Sequence, residues 1–126
     1  MLIVDDHPTN RQVLELILDQ LGADWKSVEN GLEAVTAAAT EPFSAILMDI
    51  QMPVMDGLTA TREIRKAECA EGRPLTPVII VSANGQPEHV LEGVSAGAQH
   101  HLCKPVNAQR LIDALFDVLD EKQRAA

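Results

Sequence analysis

Four short apolar runs in this chain each end on polar residues, and that repetition constrains the fold more than any other feature. Leu2-Ile3-Val4 ends at Asp5-Asp6, Ala45-Ile46-Leu47-Met48 at Asp49, and Val78-Ile79-Ile80-Val81 at Ser82. A weaker run, His100 to Cys103, ends at Lys104-Pro105, and a more alternating one, Ala23 to Glu29, suits a sheet edge. Unbroken β-branched runs of this length fit strands buried on both faces, as in a parallel sheet covered by helices. The first run is short for a strand, which suggests that the native segment begins a residue or two earlier.

Helical patterns fill the intervals. Val13, Leu14, Ile17, Leu18 and Leu21 recur at helical spacing, with Pro8 near the first turn and Gly22 just past the end. Leu111, Ile112, Leu115, Val118 and Leu119 form a second stripe, and residues 32–39, 58–68 and 87–96 complete the set. Asp56 is placed to cap the third helix, with Gly57 easing a close turn. Five strand–helix pairs over residues 1–126, with no linker, repeat or low-complexity tract, imply one α/β domain: a parallel, doubly wound sheet with right-handed crossovers. In such sheets ligands bind beyond the carboxyl ends of the strands, where the strand order reverses.

Composition narrows the function. A net charge of −9 argues against direct nucleic-acid binding, which needs clustered Lys and Arg, and fits a cation site, a basic partner or plain solubility. Cys69 and Cys103 match neither a metal spacing nor a disulfide framework, so reduced thiols in the cytoplasm are expected. No apolar run reaches transmembrane length, and no membrane contact is expected. With only Trp25, Phe43 and Phe116 as aromatics, the core must rest on Val, Ile, Leu and Ala.

If the first and third strands are neighbours, Asp5, Asp6 and Asp49 share one crevice. At about 4 Å and an effective dielectric near 20, each like-charge pair costs roughly 4 kcal/mol. The carboxylates must then take up protons, borrow a side-chain cation or bind a metal, and hard oxygens with room for water favour Mg²⁺. Lys104 can supply a fixed positive charge, so that three carboxylates, a dication and one ammonium sum to zero. In that setting a carboxylate can attack a phosphoryl group and form an aspartyl phosphate, with Ser82 hydrogen-bonding a phosphoryl oxygen.

Asp5-Asp6, then D-I-Q-M-P-V-M-D-G from Asp49, V-S-A from Val81 and K-P at Lys104 together resemble the receiver domains of two-component response regulators. The resemblance covers essentially the whole chain. It implies a flavodoxin-like (βα)5 sandwich with strand order 2-1-3-4-5. Asp49 would be the phosphoacceptor; Asp6 would ligate Mg²⁺ directly, Asp5 mostly through water, and the Gln51 backbone carbonyl would be a further ligand. Lys104 would pair with the phosphoryl group, the Lys104–Pro105 bond would be cis, and Ser82 would be the switch hydroxyl. Expected partners are a histidine kinase or a histidine phosphotransfer domain, together with weak homodimerisation.

The stretches DDHPTNRQVLELIL and MPVMDGLTATREIR are most similar to receivers of hybrid histidine kinases. A stand-alone single-domain regulator would look much the same over these residues. The family commonly carries Tyr or Phe three residues before the lysine, where this chain has His101, which bears on how the switch is read out. Gln51 and Asn84 occupy positions at which the family tunes dephosphorylation.

Other readings stay open. Asp5-Asp6 alone would equally serve as a helix cap and turn, and His7 reads as a turn residue before Pro8 rather than a metal ligand. His100 and His101 point to opposite faces if they are in a strand. Met48, Met52 and Met55 read as packing residues, and Cys103 as a small buried one. Two functional alternatives remain beside the non-enzymatic phosphoacceptor: a Mg²⁺-dependent phosphohydrolase using an aspartyl intermediate, and an interaction module that no longer switches.

Overall fold

The computed structural model describes residues 1–50, 52, 54–82, 95–103 and 107–125. Five parallel strands, β1 (Leu2–Val4), β2 (Lys26–Val28), β3 (Ile46–Asp49), β4 (Val78–Ser82) and β5 (His100–Cys103), form one sheet in the order β2-β1-β3-β4-β5. Four helices are described: α1 (Pro8–Gln20), α2 (Gly31–Thr40), α3 (Gly57–Glu71) and α4 (Ala108–Ala125). The helix expected over 87–96 lies outside the described residues except at its last two positions, which are helical.

Side chains alternate across the strands, so the sheet buries both faces. Leu2, Val4, Ile46, Met48, Val78 and Ile80 face one core with Ala34, Ala37 and Ala38 of α2 and Ala60 and Ile64 of α3. Ile3, Leu47, Ile79, Val81 and Leu102 face the other, with Leu14, Ile17 and Leu18 of α1 and Leu111, Ala114, Leu115 and Val118 of α4. This two-sided burial is why the runs read as continuous rather than alternating. Helix α1 carries more apolar surface than it buries: Val13 and Leu16 remain exposed, as does Leu21 just past its end.

The helix starts follow local chemistry. Asn30 caps α2 by accepting from the Glu33 N–H at 2.9 Å, and Asp56 caps α3 by accepting from the Thr59 N–H at 2.8 Å. Pro8 occupies the first turn of α1, where its missing N–H costs nothing. Helix α3 stops at Gly72, whose φ of 66° and ψ of 26° let the Arg73 N–H fold back onto the Glu68 carbonyl at 2.9 Å.

Candidate functional site at the carboxyl ends of β1 and β3

The sheet order turns outward in opposite directions from β1 and β3, which opens a crevice beyond their carboxyl ends. Val4 pairs with Met48, so the next residues, Asp5 and Asp49, leave neighbouring strands side by side. Both carboxylates are buried, at 1% and 6% exposure. Asp5 Oδ1 accepts the His7 N–H at 2.9 Å, and the Asp5 carbonyl accepts from Arg11 Nη1 at 2.6 Å. Asp49 Oδ1 accepts the Ile50 N–H at 3.0 Å. These bonds hold the acids in place from the backbone side.

Asp6 is more open, and its Oδ1 lies 3.0 Å from His7 Nδ1. Ligating atoms of Asp5, Asp6 and His7 all lie within 4.8 Å of one another. The donor set is hard carboxylate oxygen with one imidazole nitrogen, which suits a divalent cation. Sequence reasoning left His7 as a turn residue. It is indeed at the N-cap of α1, but its side chain makes no capping bond and its ring faces the acids. Its place directly after the acid pair was the available signal.

The loop behind Asp49 is tightly tied. Gly57 N–H donates to the Ile50 carbonyl at 2.8 Å, and the Gly31 N–H to the Met55 carbonyl at 3.1 Å. Met48 is fully buried, with Met52 and Met55 half-buried against the same core, as packing residues should be. An open groove of about 590 Å³ borders the acids, lined by Asp6, Ile50, Met52, Asp56, Leu58 and Arg62.

Within this loop Val54 has a φ of 70°, a left-handed conformation that is an outlier for a β-branched residue. It is 76% exposed, so little burial offsets the strain. Val54→Gly should therefore stabilise the protein by about 1 kcal/mol, against the usual sign of a substitution to glycine. A rise in the urea midpoint at unchanged slope checks this.

Ser82 ends β4, paired with Cys103 at the end of β5, so both strands finish at the same edge as Asp49. The side chains of Ser82 and Cys103 lie outside the described residues, as do Gln51, Asn84, Lys104 and the Lys104–Pro105 bond. His100 and His101 are half-buried in β5, and His100 Nε2 lies 3.6 Å from Asp117 Oδ2 on α4.

Residues 1–116 match the family model described as the response regulator receiver domain. The chain belongs to that family. This receiver domain is 37% identical over 118 residues to the sensory/regulatory protein RpfC of Xanthomonas campestris pv. campestris, covering 94% of this chain and 16% of RpfC. It is 38% identical over 123 residues to the peroxide stress-activated histidine kinase mak1 of Schizosaccharomyces pombe, covering 95% of this chain and 8% of mak1. The receiver domain thus spans only a small part of these relatives. Among solved structures it is similar to the receiver domain of sensor histidine kinase PA1611 from Pseudomonas aeruginosa, which has a magnesium ion coordinated in its active site cleft. That match has a TM-score of 0.84 at 35% identity and covers 94% of this chain and 95% of that one. A CheY-like receiver from Methanospirillum hungatei matches with a TM-score of 0.86 at 28% identity, covering 99% of this chain and 96% of that one.

Proposed function

We propose that this receiver domain takes a phosphoryl group from a phosphohistidine onto Asp49 and passes the change to a partner. The observation that carries this reading is a buried carboxylate, Asp49, ending β3 beside the buried Asp5 of β1, at the strand-order reversal of a receiver fold. In the transfer, an Asp49 oxygen attacks phosphorus, the P–N bond breaks and its electron pair leaves with the imidazole. The product is an acyl phosphate on Asp49.

Asp5, Asp6, Asp49 and the Gln51 carbonyl would hold Mg²⁺. When bound, the ion neutralises charge on the acids and on the phosphoryl oxygens. Lys104 would pair with one phosphoryl oxygen and Ser82 would hydrogen-bond another, its movement signalling the phosphorylated state, with His101, three residues before Lys104, in the place of the family's usual aromatic. The histidine kinases among the relatives support a receiver within a hybrid kinase, with a histidine phosphotransfer domain or kinase as partner. No helix among the described residues is long and apolar enough to cross a membrane, and we assign the domain to the cytoplasmic side of signalling. It acts as a phosphoacceptor rather than as a turnover enzyme.

Incubation with acetyl phosphate and Mg²⁺ tests this. Intact mass should show one phosphoryl group added, chelation of the metal should prevent it, and borohydride should then convert Asp49 to homoserine. An unmodified chain would overturn the proposal, and multiple turnover of small phosphomonoesters would favour a phosphohydrolase instead.

A further inference from the structure

We propose that His7 is itself a metal ligand, giving the acid cleft a nitrogen donor and with it a preference for transition-metal ions over Mg²⁺. The inference rests on the metal-assisted reading above. Metal–ligand bonds of about 2.1 Å place neighbouring octahedral donors about 3.0 Å apart and opposite donors about 4.2 Å apart. His7 Nδ1 lies 3.0 Å from Asp6 Oδ1 and 3.9 Å from Asp5 Oδ1, within the span one ion can bridge.

Two further features aim the ring at the cleft and leave it open to an arriving ion. His7 sits at the N-cap of α1, yet its side chain makes no capping bond; its ring is committed to the cleft instead. The ring is also 70% exposed beside a nearly buried Asp5 carboxylate, so an ion arriving from water meets the imidazole at the rim and the acids beneath. A neutral imidazole adds a donor without disturbing the charge balance of the carboxylates. Imidazole suits Ni²⁺, Zn²⁺ and Cu²⁺ and does little for Mg²⁺, which holds its water and prefers oxygen.

The test titrates Ni²⁺, Mn²⁺ and Mg²⁺, each alone, into wild type, His7→Ala, His7→Asn and Asp6→Asn by calorimetry, with pulsed EPR of the Mn²⁺-loaded proteins. The wild type should show coupling from a directly coordinated ¹⁴N that both His7 variants lose. Ni²⁺ affinity should fall about tenfold or more in both, the least that losing even a supporting partner of a ligand costs, and Mg²⁺ affinity should fall far less. His7→Asn restores a capping side chain, so a shared loss in both variants separates ligation from helix capping. Asp6→Asn should weaken all three ions. Absence of nitrogen coupling in the wild type, its survival in His7→Ala, or an equal loss for all three metals overturns the role of His7. Those results alongside Asp6-dependent binding leave the phosphoacceptor reading standing. Failure of the wild type to bind any of the ions overturns both.

Discussion

Gly57→Ala should both destabilise this receiver domain and abolish its phosphoryl uptake. A Cβ at Gly57 would overlap the Asp49 carbonyl oxygen and lie 2.8 Å from the Asp49 carbonyl carbon and 2.9 Å from Met48 Cγ. The main obstacle is backbone rather than a flexible side-chain end, and Met48 is fully buried, so the clash cannot be relieved locally. Either β3 withdraws, moving Asp49 away from Asp5, or the start of α3 lifts and breaks the bond from the Gly57 N–H to the Ile50 carbonyl. Overpacking of this kind costs about 3 kcal/mol, at the upper end of its usual range. At this chain length that is roughly a 10 °C fall in melting temperature. Gly72→Ala is the control: beyond its own stretch of chain nothing lies within 4 Å of its Cβ position, and only the left-handed φ of 66° is penalised. It should cost about 1 kcal/mol and leave the phosphoryl adduct intact. Equal adduct formation in Gly57→Ala and wild type would show that the position of Asp49 does not depend on this close approach.

The sequence carried the strands and the acids well, because both depend on local pattern. Runs buried on two faces must be apolar throughout, and β1 and β5 fall where the runs at Leu2–Val4 and His100–Cys103 place them. The reading fails by degrees where residues serve two purposes. Ala23 to Glu29 alternates like a strand, yet β2 spans only Lys26–Val28. The Ala23 N–H is used to end α1 on the Leu18 carbonyl at 3.0 Å, and the Trp25 indole bonds Asp19 at 2.7 Å. His7 reads from the sequence as a turn residue rather than a ligand for a different reason: whether a ring beside two acids turns toward them or toward water depends on the backbone angles at the start of α1, which residue identity does not set. Glu68 was the least legible. On an amphipathic helix a glutamate reads as solvent-facing, and the distant residues that bond this one's partner Arg65, namely Gly97 and Gln99, lie more than thirty positions from Arg65 along the chain.

Glu68→Ala should be the second severe substitution, through stability alone. Glu68 is 2% exposed; its Oε1 accepts from Arg65 Nη1 at 2.6 Å and its Oε2 from the Thr76 N–H at 2.7 Å. Arg65 goes on to donate from Nε to the Gly97 carbonyl at 3.0 Å and from Nη2 to Gln99 Oε1 at 2.9 Å. Gln99 Oε1 also accepts the Val78 N–H at 2.8 Å, so one network ties α3 to the starts of β4 and β5. Removing the carboxylate strands a guanidinium that is only 14% exposed and orphans a backbone donor. Breaking a buried pair from one side costs about 3–5 kcal/mol, and the bonds Arg65 keeps place this case near 3. Arg65→Met with Glu68→Leu should cost less than the sum of the single changes, because no unpaired charge remains; the cycle of urea midpoints measures that coupling. The network gathers at the amino ends of β4 and β5, whereas Asp49 closes the carboxyl end of β3. Below its lowered melting point, Glu68→Ala should therefore still accept the phosphoryl group, where Gly57→Ala does not. A folded Glu68→Ala protein that fails to form the adduct would show that the two ends of the sheet are coupled.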